Sequence, residues 1–196
     1  MLKRCLVLSA LLIASALAFA ACGSSGSSDE DQIVEAIETS ATSTNPADCS
    51  KFSTQAFMEQ STSETGQKAV KSCEEEASES DNAESVDVSE VEVEGSKATA
   101  DAAVTGSSLG GQTVTISLVK EGDQWKLDQI TGFAAFDQSK LVKAFETELT
   151  KPSSELSQAQ TSCILEALEE ASQEEFEELL LSGSSEPLGE LVESCS

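Results

Sequence analysis

Between residues 86 and 133, apolar and polar side chains alternate in four short runs. The apolar positions are Val86, Val88, Val91 and Val93, then Ala98, Ala100, Ala102 and Val104, then Val114, Ile116 and Leu118, then Trp125 and Leu127. A period of two is the signature of strands with one buried face and one wet face. The runs cover residues 86–93, 98–104, 113–119 and 124–128. Turn-forming residues join them: Gly95-Ser96, the Gly106 to Gly111 link, and Gly122-Asp123. Links this short make an antiparallel meander. The apolar parity slips between Val88 and Val91, which predicts a bulge near Ser89 and Glu90. In the third run, Val114, Ile116 and Leu118 are expected inside, with Thr113, Thr115 and Ser117 wetter. Gly132 to Phe136 reads as chain leaving the sheet.

A sheet with one apolar face needs a cover, and the flanking segments have helical spacing. From Ser28 or Asp29 a capped helix carries Ile33, Val34, Ile37 and Ala41 on one face, and Asn45-Pro46 ends it. Acidic Asp29, Glu30 and Asp31 sit where the helix dipole favours negative charge. A second helix begins near Asp48 and carries Phe52, Ala56 and Phe57. A third, over residues 66–77, carries Ala69, Val70 and Cys73, and residues 79–84 form a polar link. After the strands, Asp137 caps a helix with Leu141, Val142, Phe145 and Leu149, which Pro152 follows. Capping boxes at Ser157 to Gln160 and Ser172 to Glu175 start two more helices. Gly183 stops the second of these, and Pro187 opens the last. The fold class is therefore α+β: an antiparallel sheet packed on N-terminal helices, with a C-terminal disulfide-closed helical segment.

The N-terminus reads as an export signal. Lys3-Arg4 is a basic start, and residues 6–20 are an apolar run too short for a comfortable transmembrane helix. Phe19-Ala20-Ala21-Cys22 resembles the bacterial lipobox, in which the cysteine is diacylated and the signal is cut just before it. Ordinary secretory cleavage near Ala20 or Ala21, with Cys22 a free thiol, is the alternative. The Gly23 to Ser28 tract behaves as a flexible tether. The resulting division is a signal at 1–21, a tether at 22–28, an α+β domain at 29–136 and a helical module at 137–196. The lipobox reading places the protein at the cell membrane, lipid-anchored on its extracytoplasmic face.

Setting aside Cys5 and Cys22, four cysteines remain: Cys49, Cys73, Cys163 and Cys195. An exported chain with an even remainder suggests disulfides. Three pairings are open. The local one, Cys49–Cys73 with Cys163–Cys195, joins neighbouring helices within each half and is the one expected.

Charge and missing residue types bound the chemistry. The chain holds 36 acidic residues against 11 Lys and Arg, a formal charge of −25, with no His and no Tyr. That surface repels nucleic acid. It serves as a solubilising coat, or it meets a basic partner or cations. There is no Cys-x-x-Cys for redox exchange, no phosphate loop, and no calcium-loop spacing at residues 29–31 or 74–76. No metal or cofactor is expected.

Helices followed by a meander with a Trp in its last strand resemble the nuclear-transport-factor-2-like (SnoaL-like) superfamily over residues 29–133. The resemblance is closest to small bacterial lipoproteins. Cys49 to Phe57, the Cys73 that would pair with Cys49, and Gly122-Asp-Gln-Trp125-Lys-Leu127 carry it. It implies a cone, in which a curved sheet wraps a long helix, with Trp125 in the core. Enzymes of that superfamily use an acid or base, often Asp, with Tyr or His partners. Here Tyr and His are absent, and strand parity puts Asp87, Asp101 and Asp128 on the solvent face. The reading is a non-catalytic domain that binds a small apolar ligand or an envelope partner, with room beneath Ala98, Ala100 and Ala102 unless Phe52, Phe57 or Trp125 fills it. A module docking through its C-terminal helices is the alternative, and an enzyme with a cone pocket is disfavoured.

Overall fold

The computed structural model describes residues 27–77, 82–151 and 156–196. The signal, Cys22, most of the tether and Pro152 lie outside the described residues. The described chain is mixed α+β: eight helices and one open four-stranded antiparallel sheet in the order β1-β2-β3-β4. No helix among the described residues is long and apolar enough to cross a membrane.

The strands are β1 (Ser85–Glu94), β2 (Lys97–Thr105), β3 (Thr113–Glu121) and β4 (Gln124–Ala135). The bulge falls between Ser89 and Glu92, and Glu90 adopts φ +50° there. In β3, Val114, Ile116 and Leu118 are buried while Thr113, Thr115 and Ser117 are half-buried. Gly122 turns the chain from β3 into β4 at φ +65°, a region where a side chain would be strained.

One expectation fails in β4. Gly132 to Ala135 do not leave the sheet: Thr115 pairs with Gly132, Val114 with Phe133 and Thr113 with Ala135. Three register shifts along the β3–β4 pair break the alternation, which hides the strand's second half from a parity reading.

Helix α1 (Asp29–Thr42) starts with a capping box between Ser28 and Asp31 and buries Ile33, Ala36 and Ile37. It touches both edge strands, β1 and β4. The expected second helix is two: α2 (Ala47–Phe52) and α3 (Gln55–Thr62). The break lies at Ser53-Thr54, where Ser53 bridges Leu127 and the Thr54 N–H donates to the Leu127 carbonyl at 2.8 Å. Helix α4 (Gln67–Glu76) is tied to α2 by Cys49–Cys73. Helices α5 (Gln138–Leu149), α6 (Gln158–Glu170), α7 (Gln173–Leu181) and α8 (Glu186–Ser194) follow, with Cys163–Cys195 joining α6 to the end of α8. On the chain-entropy view each bridge adds about 3 kcal/mol.

Ile164, Leu168 and Phe176 of the C-terminal helices belong to the same buried cluster as the sheet. Phe136 stands 5.3 Å from Phe133 and 5.4 Å from Phe176 between ring centroids, so an aromatic chain crosses the boundary drawn at residue 136. Polar groups fasten the same seam. Gln112, almost fully buried, donates to the Asp137 carbonyl at 2.9 Å and accepts from the Asp137 N–H at 2.8 Å. Gln138 caps the end of α6 by donating to the carbonyls of Leu168 and Ala171.

Candidate binding cleft

A cleft of about 240 Å³ opens between α1 and the sheet. Its walls come from Ile37 on α1, Phe57 on α3, Val86 on β1, Ala102 on β2, and Val114 and Ile116 on β3. Ligand pockets for drug-sized molecules run to about 300–1,000 Å³, so this one suits something smaller.

The space has a local cause. Ala98, Ala100 and Ala102 are all buried against the helical layer, where larger strand residues would fill the gap. Only Ala102 of the three lines the cleft. Phe52 and Trp125 are buried elsewhere in the core, and Phe57 forms part of the wall. The room foreseen under the alanines is thus present at one end of the row.

Polar groups in the cleft are hydroxyls and an amide. Ser40 and Ser53 share a hydrogen bond at 3.2 Å beside it. Asn82 donates to the Ser43 carbonyl at 3.0 Å, which sets one side of the rim. Ser107, Ser108 and Leu109 of the β2–β3 link also line it. Turn chemistry alone does not show that this link lines a cleft; its one sequence signal is a leucine set between serines and glycines.

No ionisable side chain is among the lining residues. Asp87 is exposed, Asp101 accepts from the Thr115 hydroxyl at 2.7 Å, and Asp128 accepts from the Thr54 hydroxyl at 3.0 Å. The cleft therefore offers apolar surface with a hydroxyl and amide rim, and no group for proton transfer. Among the described residues no cluster of His, Cys, Asp or Glu is arranged to hold a metal ion.

Electrostatics position the helix over the cleft. Lys120 and the buried Trp125 indole both donate to the same Asp29 oxygen, at 2.5 and 2.9 Å. The Lys120 bond first, and the Trp125 bond after it, hold the Asp29 carboxyl below its ordinary range. At the other end of the sheet, the Ser139 hydroxyl and the Lys140 backbone N–H lower Asp137, the N-cap of α5.

No family model, curated protein or solved structure matches this chain. The chemistry of the cleft rests on its own residues.

Proposed function

We propose that this protein is a lipid-anchored, extracytoplasmic, non-catalytic binding domain that takes a small apolar ligand in the α1–sheet cleft. The observation that carries the reading is the cleft's lining: apolar walls, a rim of hydroxyl and amide groups, and no carboxylate or ammonium. An apolar ligand gains from leaving water there, and a charged one would lose its hydration without a partner.

The anchor reading rests on the Phe19 to Cys22 motif and the Gly/Ser tract after it. Two disulfides fit an oxidising compartment. The nuclear-transport-factor-2-like cone is proposed as the finer fold. It is supported by α1 reaching both edge strands and by the register shifts that bend the β3–β4 pair.

Native mass spectrometry of the protein extracted gently from its own membrane tests the reading. A small apolar adduct that is lost on delipidation is expected. Recovery of bare protein under every extraction condition would overturn it.

A further inference from the structure

We propose that the groove between α6, α7 and α8 is the docking site for a lysine- and arginine-bearing amphipathic helix of another protein. The groove encloses about 880 Å³, over three times the volume of the cleft beside α1. Leu168, Leu179 and Leu191 line it on the apolar side, and Glu170, Glu178, Glu186 and Glu190 stand along it. Those four glutamates are exposed.

Charge states what fits. Residues 156–196 contain ten glutamates and neither lysine nor arginine. The ion pairs seen among the described residues, such as Lys120–Asp29 and Lys140–Asp137, lie outside the groove. Like charges crowded on short helices repel, and a cationic occupant relieves that repulsion. The carboxylates are not gathered into a metal-binding group, so an extended array of cations answers them better than one ion. A groove that sets the half-buried Leu179 and Leu191 among carboxylates is read by an amphipathic helix, which presents leucine-type anchors on one face and cations at its margins.

The groove is also built to last. Helix α8 buries no side chain of its own fully, yet Cys163–Cys195 bonds its end to α6 on the opposite wall. The bridge adds a covalent tie to the partly buried Leu191 and Val192, which pack against the main cluster.

The test uses the full chain in mild detergent and a fluorescent lysine–leucine peptide patterned for an amphipathic helix, read by anisotropy against empty micelles. The triple variant Glu178→Gln, Glu186→Gln, Glu190→Gln is compared with an equal-charge control, Glu35→Gln, Glu92→Gln, Glu94→Gln, on other surfaces. The groove variant is expected to weaken binding by about tenfold or more, and the control by no more than about twofold. A peptide of the same composition, scrambled so that no apolar face forms, is expected to bind as weakly to the wild type as the patterned peptide binds to the groove variant. Equal loss in both variants would reduce the effect to bulk charge and overturn the proposal. Equal binding of the scrambled peptide, or no binding to the wild type at low salt, would overturn it too.

Discussion

The indole N–H of Trp125 donates to the carboxylate of Asp29 across 2.9 Å, although the two residues lie 96 positions apart. Lys120 reaches the same oxygen and sits 5.5 Å from the Trp125 ring centroid. The first turn of α1 is thereby fixed to the β3–β4 hairpin, the end of the sheet opposite the cleft's Ala102 wall. A carboxyl whose pKa is lower in the folded state adds stability above the ordinary aspartate range, and that stability is lost as pH falls through the folded value. Asp29→Asn is therefore expected to be less stable than wild type at neutral pH, with the difference closing as pH drops below the ordinary range. Trp125 is the only tryptophan, so its fluorescence reports the titration directly. A stability difference that persists unchanged in acid would show that the ion pair is not its source.

Edge protection gives a second prediction. β4 is an edge strand: the Thr54 backbone meets its outer edge at Leu127, and side chains meet it at Ile130 and Phe133. Gln60 accepts from the Ile130 N–H at 2.8 Å and donates to the carbonyls of Ile130 and Leu181 at 2.8 and 2.7 Å. Glu177 accepts from the Phe133 N–H, and Gln173 donates to the Phe133 carbonyl. Gln60→Ala leaves part-buried backbone groups unpaired and should cost about 1–3 kcal/mol in urea unfolding. Exposed edges also template aggregation, so the variant should aggregate faster on heating. A cost near zero would mean that water replaces the amide fully.

Much of this was legible beforehand, for identifiable reasons. Strand parity exposed Val114, Ile116 and Leu118, and the slip at Ser89-Glu90 gave the bulge, because one face of each strand is wet. Capping boxes at Ser157 and Ser172 are local hydrogen-bond chemistry and so survive in sequence. The β4 extension through Phe133 was not legible, since its register shifts scramble the alternation. Gln60, Gln173 and Glu177 look like any polar surface residue, because their partners are backbone groups distant in the chain. Asp29 read as a helix-dipole charge for the same reason. Small residues at Ala98 to Ala102 signalled room, but only the packing of Phe52, Phe57 and Trp125 could say which end stays open.

The shared core redraws what the C-terminal disulfide holds. A helical module held by Cys163–Cys195 alone would melt as a unit once that bridge is lost. Phe176, Ile164 and Leu168 are now seen packed within the main cluster, while α8 has no fully buried residue. Cys163→Ser with Cys195→Ser is expected to strip hydrogen-exchange protection from α8 and to leave α6 and α7 protected. Phe176→Ala, in contrast, should destabilise the whole protein by about 3–5 kcal/mol. Loss of protection across α6 and α7 in the double serine variant would show that the bridge, not Phe176, anchors them.

Anchoring is tested at Cys22. Labelled palmitate should enter the wild type in growing cells, and Cys22→Ala should carry none and leave the membrane fraction. Label retained in the mutant would place the acyl chains elsewhere and remove the lipobox from the account.

The most direct test of the binding reading is to fill the cleft. Ala102→Leu puts a larger apolar side chain into space the structure leaves open, with a change in stability of no more than about 1–3 kcal/mol. Thermal unfolding is then followed with a homologous series of n-alkyl alcohols, because a ligand that binds only the folded state raises the melting temperature. The account predicts a rise in the wild type that peaks at one chain length and is absent in Ala102→Leu. A wild type that does not respond, or a variant that responds equally, would contradict it.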